Sequence, residues 1–486
     1  MKTSTTYQSK TTAIIRSTAA LILTTATALL TANVSATEAS WPCLNPPTMS
    51  STVPGDTAVS DQAGVNCFAW QQFIAMNWNT QKPKTAAAFG EPGDYAPVEF
   101  ETYISVSEFL KKDGSKPPPW NERAFAEYDK EEDIRKMYGT SKVNVDFDPN
   151  SDLAEAFPVD KTKAWLADKN GNLVWYEVLV NEDEYNYFYD NKFYDSTEQY
   201  KAAKAGRHIN LPKGDLGNKT GAMEFKAAWL TVTNPEDKKW RRYKMTKANI
   251  CSGQTQCKTQ HFALVGLHII HKTTAQASWI WTTFEHQDNS PDMTAVEKGP
   301  VGDGYTFYTD NCQQQLISPA CVNGNIDQQT RCDVNQPPAY GLSFVDGQLA
   351  GQCRPYGIQV ARQFPLPNTN ENPVVAINKM AHKMITQANS DSVYQYYNLV
   401  NVLWNDSPVD ENKGDTVPVD SLSQTGFRPN ADAFPVANTV LETYIQSATC
   451  VSCHSAATIN TPEGVNGPDF ASDYSFIFSM AHPASQ

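Results

Sequence analysis

The chain has 486 residues and is acidic, with 39 Lys and Arg against 53 Asp and Glu and a formal net charge of −14. A surface of this sign argues against nucleic acid or an anionic membrane as a partner and favours a protein partner with a basic docking surface. Solubility alone is the simpler explanation of the same charge.

Residues 1–36 have the pattern of an export signal. Three basic residues (Lys2, Lys10 and Arg16) precede an apolar run over 19–30, and no acidic residue occurs before the small-x-small sequence that ends at Ala36. A membrane anchor is the alternative, but the run is far shorter than the roughly 20 apolar residues that span a bilayer. We expect cleavage after Ala36, a periplasmic or secreted mature protein, and no integral membrane span.

The body, residues 37–430, is predicted to be an α+β fold with a β-rich, antiparallel, sandwich-like core and several helices. Apolar residues at helical spacing predict a first helix over 66–80 and a later one that begins at Asn372-Pro373. Shorter helices are expected near 182–189 and 196–205. Runs rich in aromatic and β-branched residues predict strands over 164–168, 173–180, 222–232, 240–246, 261–273, 278–285 and 394–404.

Eight of the ten cysteines precede residue 430, and an even number in an exported chain predicts disulfides. Cys251 is expected to pair with Cys257 across a short loop, and Cys43 with Cys67 to tie the mature N-terminus to the first helix. Four more form a local cluster whose pairing stays open: Cys312, Cys321, Cys332 and Cys353. Metal-ligating thiols are the alternative for that cluster, but its spacing matches no familiar zinc motif.

Two groups of polar residues in the body are candidate sites. His268 and His271 lie three residues apart on a predicted strand, so their side chains are expected on opposite faces and cannot easily share one metal. Each is either a structural histidine or an iron ligand. Glu285, His286 and Asp288 close the next strand and could line a pocket, with a polar strand end as the alternative.

The sequence Cys450-Val451-Ser452-Cys453-His454 is a C-x-x-C-H motif, which is the attachment site of a c-type haem. Chance expectation for this composition is about 0.003 occurrences. A thioredoxin-like pair or half of a zinc site are the alternatives, but no second C-x-x-C exists and no strand–helix pattern precedes the motif. We therefore predict one covalent haem c, with thioethers to Cys450 and Cys453 and with His454 as the proximal iron ligand.

The flanks of the motif agree with this prediction. Residues 437–446 have apolar positions at helical spacing, which predicts a helix that leads into the motif. Gly467-Pro468-Asp469-Phe470 follows the motif. This stretch resembles class I c-type cytochromes, which implies that the Pro468 carbonyl accepts the proton on the outer nitrogen of His454. The whole chain resembles a group of exported bacterial proteins that end in a single haem motif and have no established activity.

The haem segment, residues 431–486, is too short to enclose a haem, so we expect it to dock on the body. Met480, on a predicted helix over 473–481, is the first candidate for the sixth iron ligand. His482, His268 and His271 are the alternatives, and an open iron site is another.

These observations predict an exported single-haem c-type cytochrome that passes one electron at a time to a redox partner with a basic docking surface. A haem-containing oxidoreductase with its substrate site in the body is the first alternative. A non-catalytic binding or surface protein that carries a structural haem is the second. No internal repeat is visible, which speaks against a propeller.

Overall fold

The computed structural model describes most of the chain after residue 40. The described ranges are 41–58, 61–122, 135–137, 165–217, 219–252, 256–312, 321, 332–345, 348–365, 372–406, 418–419, 430–462 and 469–484. The predicted signal peptide and Pro468 lie outside these ranges. Among the described helices, none is long and apolar enough to cross a membrane.

Seven α-helices occur in the described ranges. They are α1 (Gln62–Met76), α2 (Val106–Phe109), α3 (Glu182–Asn191), α4 (Ser196–Lys204), α5 (Met293–Val296), α6 (Pro373–Ala388) and α7 (Cys450–His454). Local sequence explains where the long helices begin. Asp61 caps α1 by accepting from the Gly64 N–H, and Asn372 caps α6 just before the proline at its first position.

Twelve strands occur in the described ranges. They are β1 (Ile104–Ser105), β2 (Arg135–Met137), β3 (Val174–Val180), β4 (Met223–Val232), β5 (Met245–Ser252), β6 (Gln256–His271), β7 (Ile280–His286), β8 (Ser343–Val345), β9 (Gln348–Ala350), β10 (Tyr397–Leu403), β11 (Pro418–Val419) and β12 (Asp469–Phe470). Short 3-10 helices add Lys238–Arg242, Val393–Tyr396 and Phe476–Met480. The predicted β-rich α+β class is confirmed.

Eight of these strands form one sheet organised around the 16-residue strand β6. One edge of β6 pairs with β4, and β4 continues through β3 to β1. The other edge is divided between two partners, since β5 pairs with the first half of β6 and β7 with the second half. β2 then pairs with β5, in parallel, and β10 pairs with β7. The sheet therefore forks along its longest strand.

The two faces of the sheet are covered by different parts of the chain. On one face α1 and α6 pack against β7 and β10, where Phe73 of α1 stacks on Phe284 of β7 at 4.3 Å between ring centroids. On the other face lie α3, α4 and the haem segment, where Phe188 of α3 stacks on Phe478 at 4.3 Å. Residues 41–486 form one compact unit, so the haem segment is packed on the body.

Several predicted boundaries differ from the structure. The turn at Asn170-Gly171 forms, with Gly171 at φ 81°, but the strand before it is reduced to a single bridge from Ala167 to Leu173. The strand predicted over 240–246 begins later, at Met245, because Lys238–Arg242 forms a 3-10 helix capped by Asp237.

The helix predicted over 437–446 is wrong, because that stretch is a series of turns. The predicted helix over 473–481 is a shorter 3-10 helix, Phe476–Met480. Side chains that bond to the body rather than to their own helix account for the first difference, since Asn438 and Thr439 are fully buried against β7.

Three disulfides are present in the described residues. Cys43 pairs with Cys67, as predicted, and fastens the N-terminal stretch to α1. The open pairing of the local cluster is resolved as Cys312 with Cys332 and Cys321 with Cys353. Cys251 and Cys257 face each other in the register of β5 and β6, but their side chains lie outside the described part of the structure, so that bridge stays a prediction.

Candidate functional site

An open cavity lies between the sheet and the haem segment. One wall is the motif itself, with Cys450, Cys453 and His454. The opposite wall is the sheet face that α1 does not cover. The residues that complete the lining come from six segments: Val178, Glu224, Phe225, Lys226, His268, Ile270, Trp281, Thr282, Glu442, Ile445, Ala448, Thr449, Phe476, Ile477 and Met480.

The motif residues form the short helix α7. Thr449 is its N-cap, and the Thr449 and Ser452 side chains make the reciprocal bonds of a capping box. This single turn places Cys450 and Cys453 on one side, facing the cavity, with both thiols unpaired by disulfides. Burial raises the pKa of the Cys450 thiol, and the carboxylate of Glu442 raises it further. A thiol of this kind is a poor redox nucleophile.

His454 is held by contacts on several sides. Its Nδ1–H donates to the Tyr474 carbonyl at 2.7 Å, and the rings of Trp281 and Phe476 lie 4.7 and 5.1 Å from the imidazole centroid. A neutral imidazole with its proton on Nδ1 carries its lone pair on Nε2. This is the tautomer that a metal-binding histidine needs, with the other nitrogen bonded to a carbonyl.

The sheet forms the floor of the cavity through residues that face each other in register. Lys226 of β4 lies opposite His268 of β6, and Ile270 of β6 lies opposite Trp281 of β7. All four line the cavity. A floor that combines apolar side chains with the ammonium group of Lys226 suits a cofactor with an apolar ring and anionic substituents.

His268 is paired with an acid from the haem segment. Its Nε2 lies 3.4 Å from Oε1 of Glu442. Burial alone raises the pKa of Glu442, but the neighbouring charges of His268 and Lys226 outweigh it, so that the pKa is lowered below its usual value. Glu442 is therefore ionised at neutral pH, and it provides the haem segment with a charged contact to the floor.

Met480 also lines the cavity, at the end of the 3-10 helix Phe476–Met480. The structure thus brings together the two thiols, His454, Met480 and His268. Two thiols and an imidazole are the groups that hold a c-type haem, and a methionine thioether is one of its possible further iron ligands. The residues present at the cavity therefore fit this cofactor.

His271 lies on the other face of β6, as its spacing from His268 predicts. It is fully buried, its ring stacks on Phe68 of α1, and its two nitrogens contact Gln72 and the Thr220 carbonyl. Burial lowers its pKa to about 4, so it is neutral at physiological pH. His271 is remote from the cavity lining and has the contacts of a structural histidine.

Glu285, His286 and Asp288 each make different contacts in the described structure, and none of the three lines the cavity beside the motif. Glu285 bonds Arg362 and the haem segment, while His286 stacks on Tyr243 at 3.6 Å and contacts the Arg242 carbonyl. Asp288 pairs with Arg242 at 2.8 Å. Each side chain is engaged in a separate structural contact.

The remaining candidate, His482, lies beside α4. Its backbone bridges Asp195, and its carbonyl accepts from the Ser196 N–H. It is not among the residues that line the cavity. Pro468 is outside the described residues, and the carbonyl that His454 contacts belongs to Tyr474.

Four site residues have no signal in the sequence that singles them out. No sequence pattern marks Glu442 or Trp281, which only the fold places beside the motif. Lys226 has the pattern of an ordinary strand residue. Tyr474 acts through its backbone carbonyl, so its residue type carries no information. A search for polar residues at facing positions of the predicted strands could have found Lys226 and His268 together.

Comparisons with known proteins returned no relative. No family model, no curated protein and no solved structure matches this chain. The functional conclusion therefore depends on the motif and on the geometry of the cavity.

Proposed function

We propose that this protein is an exported single-haem c-type cytochrome that carries one electron at a time. The observation that carries the proposal is the convergence of Cys450, Cys453, His454 and Met480 on one open cavity. The two thiols would hold the haem by thioethers, and His454 would bind the iron through Nε2. A bound haem c would supply one-electron chemistry, since its iron alternates between two oxidation states.

The chain's own residues would set the properties of that site. The sheet floor and Trp281 would exclude water from one side of the cofactor. The Tyr474 carbonyl would keep His454 in its ligating tautomer. Lys226 would offer a cationic partner to the anionic substituents of the haem, and the carboxylate of Glu442 lies on the same cavity wall.

A thioredoxin-like dithiol is the competing use of the two cysteines, and two observations disfavour it. Reactive redox cysteines have a lowered pKa, whereas the pKa of Cys450 is raised by burial. A dithiol site also needs no methionine and no large cavity beside it.

The acidic charge of the chain, −14, suits a redox partner with a basic surface.

We propose Met480 as the sixth ligand. His268 is the alternative on the cavity wall, but its Nε2 already faces the carboxylate of Glu442, at 3.4 Å. Methionine ligation raises the reduction potential and suits an electron carrier. The six-coordinate reduced protein is then expected to bind carbon monoxide poorly.

The first experiment is covalent attachment. The full chain, expressed with a cytochrome c maturation system, should carry one haem that survives denaturation and gives the pyridine haemochrome spectrum of a doubly attached haem. The double variant Cys450→Ala/Cys453→Ala should lose it. As the matched control, Cys312→Ala/Cys332→Ala removes two cysteines elsewhere and should keep it. Wild-type protein without covalent haem refutes the proposal.

A second experiment tests the distal ligand. The oxidised protein should show the weak near-infrared band of sulfur-to-iron charge transfer, and Met480→Ala should abolish it. Met384→Ala, which changes a methionine on α6, should leave the band intact. A wild-type protein that lacks the band and binds carbon monoxide tightly would assign the protein to ligand binding or catalysis rather than electron transfer.

A further inference from the structure

We infer that the buried ion pair between Lys272 and Asp473 positions the proximal histidine, by holding the turn whose Tyr474 carbonyl accepts the His454 proton. This inference rests on the proposed function, because it concerns the residue that would bind the iron. Lys272 and Asp473 are positioning residues, since neither lines the cavity.

The turn that presents the Tyr474 carbonyl has an unusual backbone. Asp473 and Tyr474 have φ of 56° and 65°, two consecutive non-glycine residues in the left-handed region. Such residues are uncommon, and they persist only where the surrounding structure holds them. The turn therefore requires an anchor, and its conformation determines where the carbonyl points.

Asp473 is that anchor. Its fully buried carboxylate accepts from the Lys272 ammonium and, at 2.7 Å, from the Leu211 N–H. Its backbone carbonyl accepts from the Trp279 indole at 2.9 Å. Side chain and backbone of the same residue are thus fixed by three donors from outside the haem segment.

The anchor is continuous with the rigid part of the molecule. Lys272 directly follows β6, is itself fully buried, and makes a further hydrogen bond of 2.9 Å to Asn210. The strand that carries His268 on the cavity floor therefore also fixes the turn on the opposite side of the motif. A connected series of contacts therefore leads from the sheet, through the ion pair and the turn, to Nδ1 of His454.

The chemical consequence concerns the ligand strength of His454. A carbonyl that accepts the Nδ1 proton increases the basicity of the imidazole, and a more basic ligand favours the oxidised iron. If the turn is released, the carbonyl moves away from Nδ1 and this effect is lost. Loss of the ion pair should then raise the reduction potential while leaving both thioethers in place.

The test is the double variant Lys272→Met/Asp473→Asn in the full holoprotein. Replacing both partners removes the pair without leaving an unpaired buried charge. We expect the variant to keep one covalent haem. Its equilibrium constant for reduction should increase about tenfold, which is equivalent to about 59 mV for one electron. The electron paramagnetic resonance signals of its oxidised form should broaden.

A matched control removes another buried ion pair. Lys244 and Glu101 lie 3.0 Å apart, with side chains 4% and 0% exposed, and neither lines the cavity. Lys244→Met/Glu101→Gln should therefore reduce stability without changing the reduction potential. An equal shift in this control would assign the effect to general loosening and overturn the inference.

Trp279→Phe removes one donor to the Asp473 carbonyl without altering a charge. This variant tests the inference if the double variant does not accumulate as folded protein. We expect a smaller shift of the potential in the same direction. An unchanged potential and an unchanged oxidised spectrum in haem-loaded variants would overturn the inference. Absence of covalent haem from the wild-type chain would instead refute the proposed function.

Discussion

The carboxylate of Glu285 accepts two hydrogen bonds from Thr439, one from its backbone N–H and one from its hydroxyl, each 2.9 Å long. The other oxygen of the same carboxylate pairs with Arg362, and all three residues are buried. Arg362 in turn donates to the Ala437 carbonyl at 3.3 Å. β7 and the haem segment are therefore joined by one buried polar network.

Glu285→Gln should destabilise the protein by about 3–5 kcal/mol, because it leaves the Arg362 charge buried without its close partner. Urea unfolding followed by tryptophan fluorescence measures the loss. Glu198→Gln is the control, since Glu198 pairs with Lys201 at 2.7 Å on the surface and should change stability by less than about 0.5 kcal/mol. Similar losses in the two variants would contradict the importance of the buried network.

The haem segment packs closely against the sheet at Gly266. A Cβ built on Gly266 lies 2.7 Å from Val440 Cγ2 and 3.2 Å from Asn438 Oδ1. Val440 is fully buried and cannot easily move. Gly266→Ala should therefore cost about 1–3 kcal/mol by overpacking.

The closeness of this contact can be tested by compensation. Val440→Ala added to Gly266→Ala should recover part of the lost stability, because it makes room for the new methyl group. Gly304→Ala, where no atom lies within 4 Å of the added Cβ, should be close to neutral. The thermal midpoint followed at the haem absorption band and by tryptophan fluorescence is the measurement. Strict additivity of the two losses would rule out the proposed clash.

Acid should destabilise the fold through two buried histidines. Burial lowers the pKa of His271 to about 4 and that of His286 to about 3, both below the 6.5 of an exposed imidazole. Between those values the unfolded chain binds more protons than the folded one, so stability falls as the pH drops from about 6.5 towards 4. Each histidine should remove about 2 kcal/mol between pH 8 and pH 5.

Urea unfolding at pH 8 and pH 5 measures this dependence. His271→Gln should reduce the pH-dependent loss by about 2 kcal/mol, because Gln cannot be protonated in this range. A variant whose stability falls as steeply as that of the wild-type protein would show that the loss comes from other groups.

Local patterns predicted the regular elements well. The long helix α6 begins at Pro373, as its Asn-Pro sequence indicates, and alternating or continuous apolar runs predicted β3, β4, β6 and β7. The prediction was wrong over 437–446, where helical spacing is present but the side chains bond to β7 instead. Tertiary contacts of buried polar groups overrode local preference there.

The chemistry of the motif was readable from five residues, but its surroundings were not. The cavity joins His454 to Trp281 and to Lys226, residues far away in sequence that only the sheet brings together. The contact to the Tyr474 carbonyl has no residue-type signal, because any residue supplies a backbone oxygen. The left-handed turn at Asp473, which buried contacts hold in place, explains why this carbonyl lies beside His454.

The contacts that fasten the haem segment also constrain how the chain folds. Tyr176 bonds the Val440 carbonyl, 264 residues away, and Tyr444 bonds the Trp165 carbonyl, 279 residues away. Contacts of such high sequence separation form late, because a long loop must be closed before they contribute any stability. The sheet face that accepts the haem segment should therefore stay exposed until nearly the whole chain has been synthesised. During this interval the motif is accessible, and the apolar residues of the same exposed face are prone to aggregate.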